Sequence, residues 1–239
     1  MNLIKYYGDL VGRQGLIVAG LNSNKKSLET FTAAHNYLTD YESLRVAIDD
    51  RPEKAVADLA LKEYQFSLLA LASGQYRYAF GGLRLFFELM LSVVRFSAHE
   101  IDLRMWLCDS KDINWESLKN LDSGVFSVNF MRAFNPAFAE FGRQFSAISE
   151  SVYRECSEYV HGNAGTHTLL PSEIAFDETA HLAWCEKSAA MRQAIVFAFA
   201  ARYLNYVSPE GMRRMESVVV DVVGYLSPVQ MVYGKSCEA

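Results

Sequence analysis

The sequence predicts an all-α protein, an antiparallel helical bundle, and three observations predict it. Apolar residues recur at helical intervals over most of the 239 residues. No stretch sustains the alternation of a half-buried strand. Two long helical patterns meet at Ser73-Gly74 with almost no connection, so they must fold back on each other as an αα-hairpin.

Element by element, residues 1–24 resist assignment, because Gly8, Gly12, Gly15 and Gly20 interrupt an apolar pattern. Residues 23–48 read as a helix, with Ser23 or Asn24 as its cap. Asp50-Arg51-Pro52-Glu53 is a start signal, since proline suits the first helical turn. The helix it opens runs to about residue 73, and a second runs over about 75–98. Residues 109–128 are loop-rich, with one short helix at Trp115–Leu118. A helix over 128–143 is expected to bend near Pro136, and another follows at 145–161, stopped by Gly162 and Asn163. After an irregular connection at 162–177 comes a long, largely apolar helix over 178–206. Pro209 opens a last helix, 209–226, and the tail beyond it reads as loosely held. Residues 1–50 thus form an N-terminal helical extension packed on a core of residues 51–239.

Bulk composition narrows the function. At 51% hydrophobic and 13% aromatic with five prolines, the chain is a packed globular protein. Cys108, Cys156, Cys185 and Cys237 are widely spaced and form no C-x-x-C pair, which suits a reducing compartment and argues against a zinc ribbon or a disulfide scaffold. The opening residues MNLIKYYGDLVGRQGL lack the apolar core of a signal peptide. The apolar runs at 67–72 and 194–201 are too short to span a bilayer. A cytoplasmic, soluble protein without membrane contact is expected. Net charge is −5, the wrong sign for a protein that coats nucleic acid, so any RNA chemistry needs a local basic patch.

The segment YRECSEYVHGN, residues 153–163, carries the most chemistry. Arg154 and His161 are seven residues apart, which on a helix returns a side chain to within about 20°, roughly 10 Å along the axis. Ser157 and Glu158 fall on the same face. A permanent cation then shares a face with an imidazole, a group that titrates near neutral pH. Such a pair can act on a phosphodiester. A spacing of this kind recurs by chance in a chain with five histidines, so the weight falls on the residues around it.

Those residues resemble a known family. Arg154 and His161 look like the R-x(4–6)-H signature of HEPN domains, and YRECSEYVHGN is similar to the Tyr-Arg-Glu-Leu-Ser-x-Tyr-Val-His-Gly ending of one branch of HEPN-like bacterial proteins. SGQYRYAFGGLRLFFELML, 73–91, is similar to the family's first long helix. The pattern covers roughly residues 60–205. The resemblance implies a bundle of HEPN type with an N-terminal extension. It further implies a metal-independent endoribonuclease acting as a homodimer, in which two motif helices meet and share one groove. His161 would be the general acid or base, Arg154 would stabilise phosphoryl charge, and Glu158 or Ser157 would orient the histidine. Products would carry 2′,3′-cyclic phosphate and 5′-hydroxyl ends, and no cofactor is implied. Proteins of this kind resemble toxins or antiphage defence effectors held by an inhibitory partner. Two departures stand out: six residues intervene between Arg154 and His161, the family's long limit, and Glu155 replaces a small polar residue or histidine. Both suit the alternative, a noncatalytic module for dimerisation or partner binding.

Other candidates have two readings each. Arg77, Arg84, Glu88 and Arg95 share one face of the 75–98 helix. They form either a solvated stripe with an internal Arg84–Glu88 pair, or a basic track that holds a phosphate backbone. Tyr153 and His167 flank the motif and join the candidate substrate contacts. A histidine in a last helical turn is also favoured by the helix dipole alone, and Arg154 can pair with Glu150 or Glu158. His99 ends its helix, and a surface or core role is the default for His35 and His181. No metal-ligand spacing, G-x-S-x-G elbow or phosphate-binding glycine loop occurs.

Overall fold

The computed structural model describes residues 2–161, 165 and 170–234. The described residues are helical with no strand, an all-α bundle. The helices are α1 (Leu3–Ser23), α2 (Lys25–Ala47), α3 (Lys54–Ala72), α4 (Tyr76–Phe96), α5 (Glu100–Leu107), α6 (Trp115–Leu118), α7 (Val128–Phe134), α8 (Gly142–Val160), α9 (Glu178–Tyr203), α10 (Pro209–Val223) and α11 (Ser227–Tyr233). A 3₁₀ turn covers Pro136–Phe138.

The hairpin of α3 and α4 is the frame. Gly74 makes its turn with φ +69, and a Cβ there would lie 2.9 Å from the Ala175 carbonyl oxygen, so only glycine fits. Helices α8 and α9 pack on α4 and on each other, while α2 packs on α3, α9 and α10, and α10 also packs on α9. From Ala194 to Ala201, α9 is buried all round, as a helix without a polar face must be. Its Trp184 is completely buried because the indole N–H finds the Ala79 carbonyl, 3.1 Å away on α4. Tyr64 of α3 likewise donates to the Ala34 carbonyl of α2 at 2.7 Å. One cluster of buried side chains contains Tyr41 and Leu44 of α2 as well as the helices after residue 50.

Several sequence expectations need revision. Residues 3–23 form a continuous helix despite four glycines. Asn2 caps its start by accepting from the Ile4 and Lys5 amides, and Ile17 and Leu21 anchor its far end. Asn24 ends α1 and caps α2, accepting from the Ser27 amide at 2.9 Å. Pro136 interrupts the 128–143 pattern outright instead of bending it. The residue before a proline avoids helical dihedrals, and Asn135 is extended (φ −150, ψ 90). The helix α5 follows α4 where none was expected. Residues 227–233 are not loose: Val229 is buried and the Tyr233 hydroxyl donates to the Met212 carbonyl at 3.0 Å. Gly162, Asn163 and the end of the tail lie outside the described residues.

Candidate functional site

Position and orientation of the site come from α8. Its buried residues Phe145, Ser149, Val152 and Cys156 follow helical spacing and pin one face against the core. Phe145 stacks on Phe197 of α9 with ring centroids 3.8 Å apart. Near the other end Tyr159 stacks on Phe80 of α4, also at 3.8 Å. Burial of that face turns the opposite one, with Arg154 and His161, toward solvent. Helix α8 ends at Val160, and His161 is its C-terminal cap residue, its amide donating to the Ser157 carbonyl at 3.1 Å.

Arg154, Ser157 and His161 line one open cavity of about 620 Å³ together with Tyr153, Glu150, Ser151, Ala147, Trp115 and Lys119. The Ser157 hydroxyl donates to the Tyr153 carbonyl at 2.7 Å, which leaves its lone pairs as acceptors. Glu150, one turn before Arg154, accepts from Ser146 at 3.3 Å. Glu158 is exposed and is not part of this lining. Glu155 leans away toward α9, where Lys187 Nζ lies 2.6 Å from its carboxylate and Ser151 donates at 2.8 Å. Burial pushes the Glu155 carboxyl up, but Lys187 and Ser151 outweigh it and hold the group below its ordinary value.

The arginines of α4 take part in internal contacts. Arg84 donates to the Tyr153 hydroxyl and lies 3.4 Å from Glu88, and Tyr153 donates to Glu88 at 2.7 Å. One face of the Tyr153 ring carries the Arg84 guanidinium at 4.7 Å, and the ring also stacks on Trp115 at 3.7 Å. Burial, with Glu88 adding to it and Arg84 opposing it, pushes the Tyr153 hydroxyl up to about 12. It is a neutral hydrogen-bonding group at working pH. Arg95 donates to the Ser117 and Ser123 carbonyls, each at 3.2 Å, and pairs with Asp102 at 3.6 Å. Arg77 donates to the Val160 carbonyl at 3.2 Å and so holds the last turn of α8 beside His161. Of the residues singled out in the sequence, the cavity therefore gathers Arg154, Ser157, His161 and Tyr153. Arg77, Arg84 and Arg95 are not among its lining residues, and His167 lies outside the described residues. His35 is exposed and His181 is buried, its ring 3.3 Å from the Ser27 carbonyl oxygen.

Trp115, Lys119, Ala147 and Ser151 also line the cavity and were not among the sequence candidates. Trp115 and Lys119 come from the α6 segment, some 35 residues before the motif, and no spacing links them to it. The period of α8 itself was legible, since Ala147 and Glu150 continue the face of Arg154 backward.

No protein-family model, curated protein or solved structure matches this chain. Among the described residues no group of three or more His, Cys, Asp or Glu side chains is placed to hold a metal ion. No helix among them is long and apolar enough to cross a membrane.

Proposed function

We propose that this chain is a metal-independent endoribonuclease of HEPN-like type, and the observation that carries the proposal is the shared cavity of Arg154, Ser157 and His161. A guanidinium and an imidazole opening on one space can together stabilise phosphoryl charge and move a proton, two things a phosphodiester transfer requires. In that chemistry the ribose 2′-oxygen attacks the adjacent phosphorus while the bond to the 5′-oxygen breaks. His161 accepts the 2′-hydroxyl proton while water protonates the leaving 5′-oxygen, or it supplies the proton to the 5′-oxygen while water takes the one from the 2′-hydroxyl. Arg154 stabilises the negative charge that builds on the phosphoryl oxygens, through charge-assisted hydrogen bonds. Ser157, one turn before His161, offers an acceptor to orient the ring. The products carry a 2′,3′-cyclic phosphate and a 5′-hydroxyl, and DNA resists because it lacks the attacking oxygen.

The resemblance extends the proposal to a cytoplasmic homodimer, with α8 of each copy facing the shared groove. It also extends it to a toxin or antiphage role under an inhibitory partner. Glu155, the departure that favours a noncatalytic module, is paired to Lys187 away from the cavity, which supports an active site compatible with its presence.

The test is cleavage of total cellular RNA with EDTA present, comparing the unaltered chain with His161→Ala and Arg154→Ala. Both side chains are exposed, so both variants should fold. Each substitution is expected to lower the rate by about 100-fold or more. Cyclic-phosphate ends made only by the unaltered chain are the expected result. Cleavage that survives His161→Ala, or none by the unaltered chain, overturns the proposal.

A further inference from the structure

The cavity at Arg154 and His161 does not end there. A second cavity of about 470 Å³ adjoins it and shares Lys119, Ala147 and Glu150 with it. Its further lining runs over Asn120, Leu121 and Phe126 to Arg143. The two make one groove between α8 and the segment that starts at α6. Along its floor, Arg143, Ala147, Glu150, Arg154, Ser157 and His161 recur at alternating steps of four and three, which keeps them on one helical face. The eighteen residue steps from Arg143 to His161 span about 27 Å, room for up to about eight stacked nucleotides at 3.4 Å each.

Charge in this groove runs against the rest of the molecule. Lys119, Arg143 and Arg154 face it against one carboxylate, Glu150, in a chain of net charge −5. Lys119 pairs at 3.2 Å with Glu116, whose side chain is 72% exposed, and an ion pair of that kind exchanges readily for a phosphate. Arg143 is exposed in the first turn of α8, which begins without a side-chain cap, so the positive end of the helix dipole adds to its charge. The α4 arginines, by contrast, line neither cavity and are engaged with Glu88, Asp102 and backbone carbonyls. One line of cations in one groove matches one phosphate backbone, whereas a duplex presents two.

We propose that this groove binds the backbone of single-stranded RNA, with Lys119 and Arg143 holding phosphates that flank the one at Arg154. The inference rests on the ribonuclease reading for the identity of the ligand.

The test separates the two. Binding of a labelled single-stranded 12-nucleotide RNA is measured by fluorescence anisotropy from 50 to 200 mM salt, with the full chain carrying His161→Ala to silence cleavage. Adding Lys119→Gln and Arg143→Gln together is expected to weaken binding roughly tenfold at 50 mM salt, and to flatten the salt slope by about 1.4, at about 0.7 per lost phosphate contact. Glu150→Gln should instead tighten binding a few-fold, a change of sign that general loss of structure cannot produce. The inference is overturned if the double substitution leaves affinity and slope unchanged. It is equally overturned if the parent does not bind, or if a duplex of the same sequence binds more tightly than the single strand. Absent cleavage by the chain with His161 intact sinks the ribonuclease reading alone and leaves the binding result standing.

Discussion

Replacing Tyr153 with phenylalanine removes one oxygen from behind the cavity and leaves the ring. The stack on Trp115 at 3.7 Å and the guanidinium of Arg84 at 4.7 Å survive the change. What disappears is the bridge: the hydroxyl that donates to Glu88 at 2.7 Å and accepts from Arg84. A hydrogen bond to a charged group is worth about 1.5–3 kcal/mol, and two are lost. The loss is cushioned, because Arg84 and Glu88 stay 3.4 Å apart and are 23% and 13% exposed, so water and each other replace part of it. A net cost of about 2 kcal/mol follows. For a chain of this size that lowers the melting temperature by about 4–8 °C. Urea unfolding should show a lower midpoint at unchanged slope. Combining Tyr153→Phe with Glu88→Gln should cost about 1 kcal/mol or more less than the sum of the single changes, because they break one network. A shift below about 0.5 kcal/mol, within the range of ordinary surface substitutions, would refute the reasoning and return Arg84 and Glu88 to the status of an ordinary surface pair.

Removing residues 2–14 should lower stability by less than about 1 kcal/mol, read as thermal melting of the chain beginning at Gly15. That segment is exposed apart from half-buried Leu10, and its Arg13–Glu173 contact is a surface ion pair, whereas the anchors Ile17 and Leu21 are retained. Alkaline pH should destabilise the fold. Burial pushes the Cys156 thiol up to about 12 and the Cys185 thiol to about 11, and the hydroxyls of Tyr153 and Tyr233 to about 12. The unfolded chain releases these protons first, near pH 9 to 10, so the folded state holds more of them and stability falls as pH rises. Urea midpoints should decline between about pH 9 and pH 12; a flat profile there contradicts the burial of these groups.

What the backbone decides within a turn or two was legible in the residues alone. The helical period sets α2, α3, α4, α8, α9 and α10, and Asn24 is legible as a cap because its side chain reaches an amide three residues on. Ser73-Gly74 is legible as a break because a positive φ favours glycine. The shared face of Arg154, Ser157 and His161 follows from 3.6 residues per turn, and the cavity gathers all three. Tertiary structure decided everything that depends on partners far along the chain. Residues 3–23 are helical through their glycines because Asn2 caps one end and packing holds Ile17 and Leu21 at the other, which outweighs weak propensity. The pairing of Arg84 with Glu88 was readable as a four-residue spacing, but Tyr153, 69 residues away, turns that pair into an internal network. Lys119 and Trp115 enter the cavity because α6 packs on α4 beside α8. A helical period fixes which side chains share a face; which segment then comes to lie over that face is settled by burial of the opposite one, and in α8 that burial depends on Phe197 and Phe80.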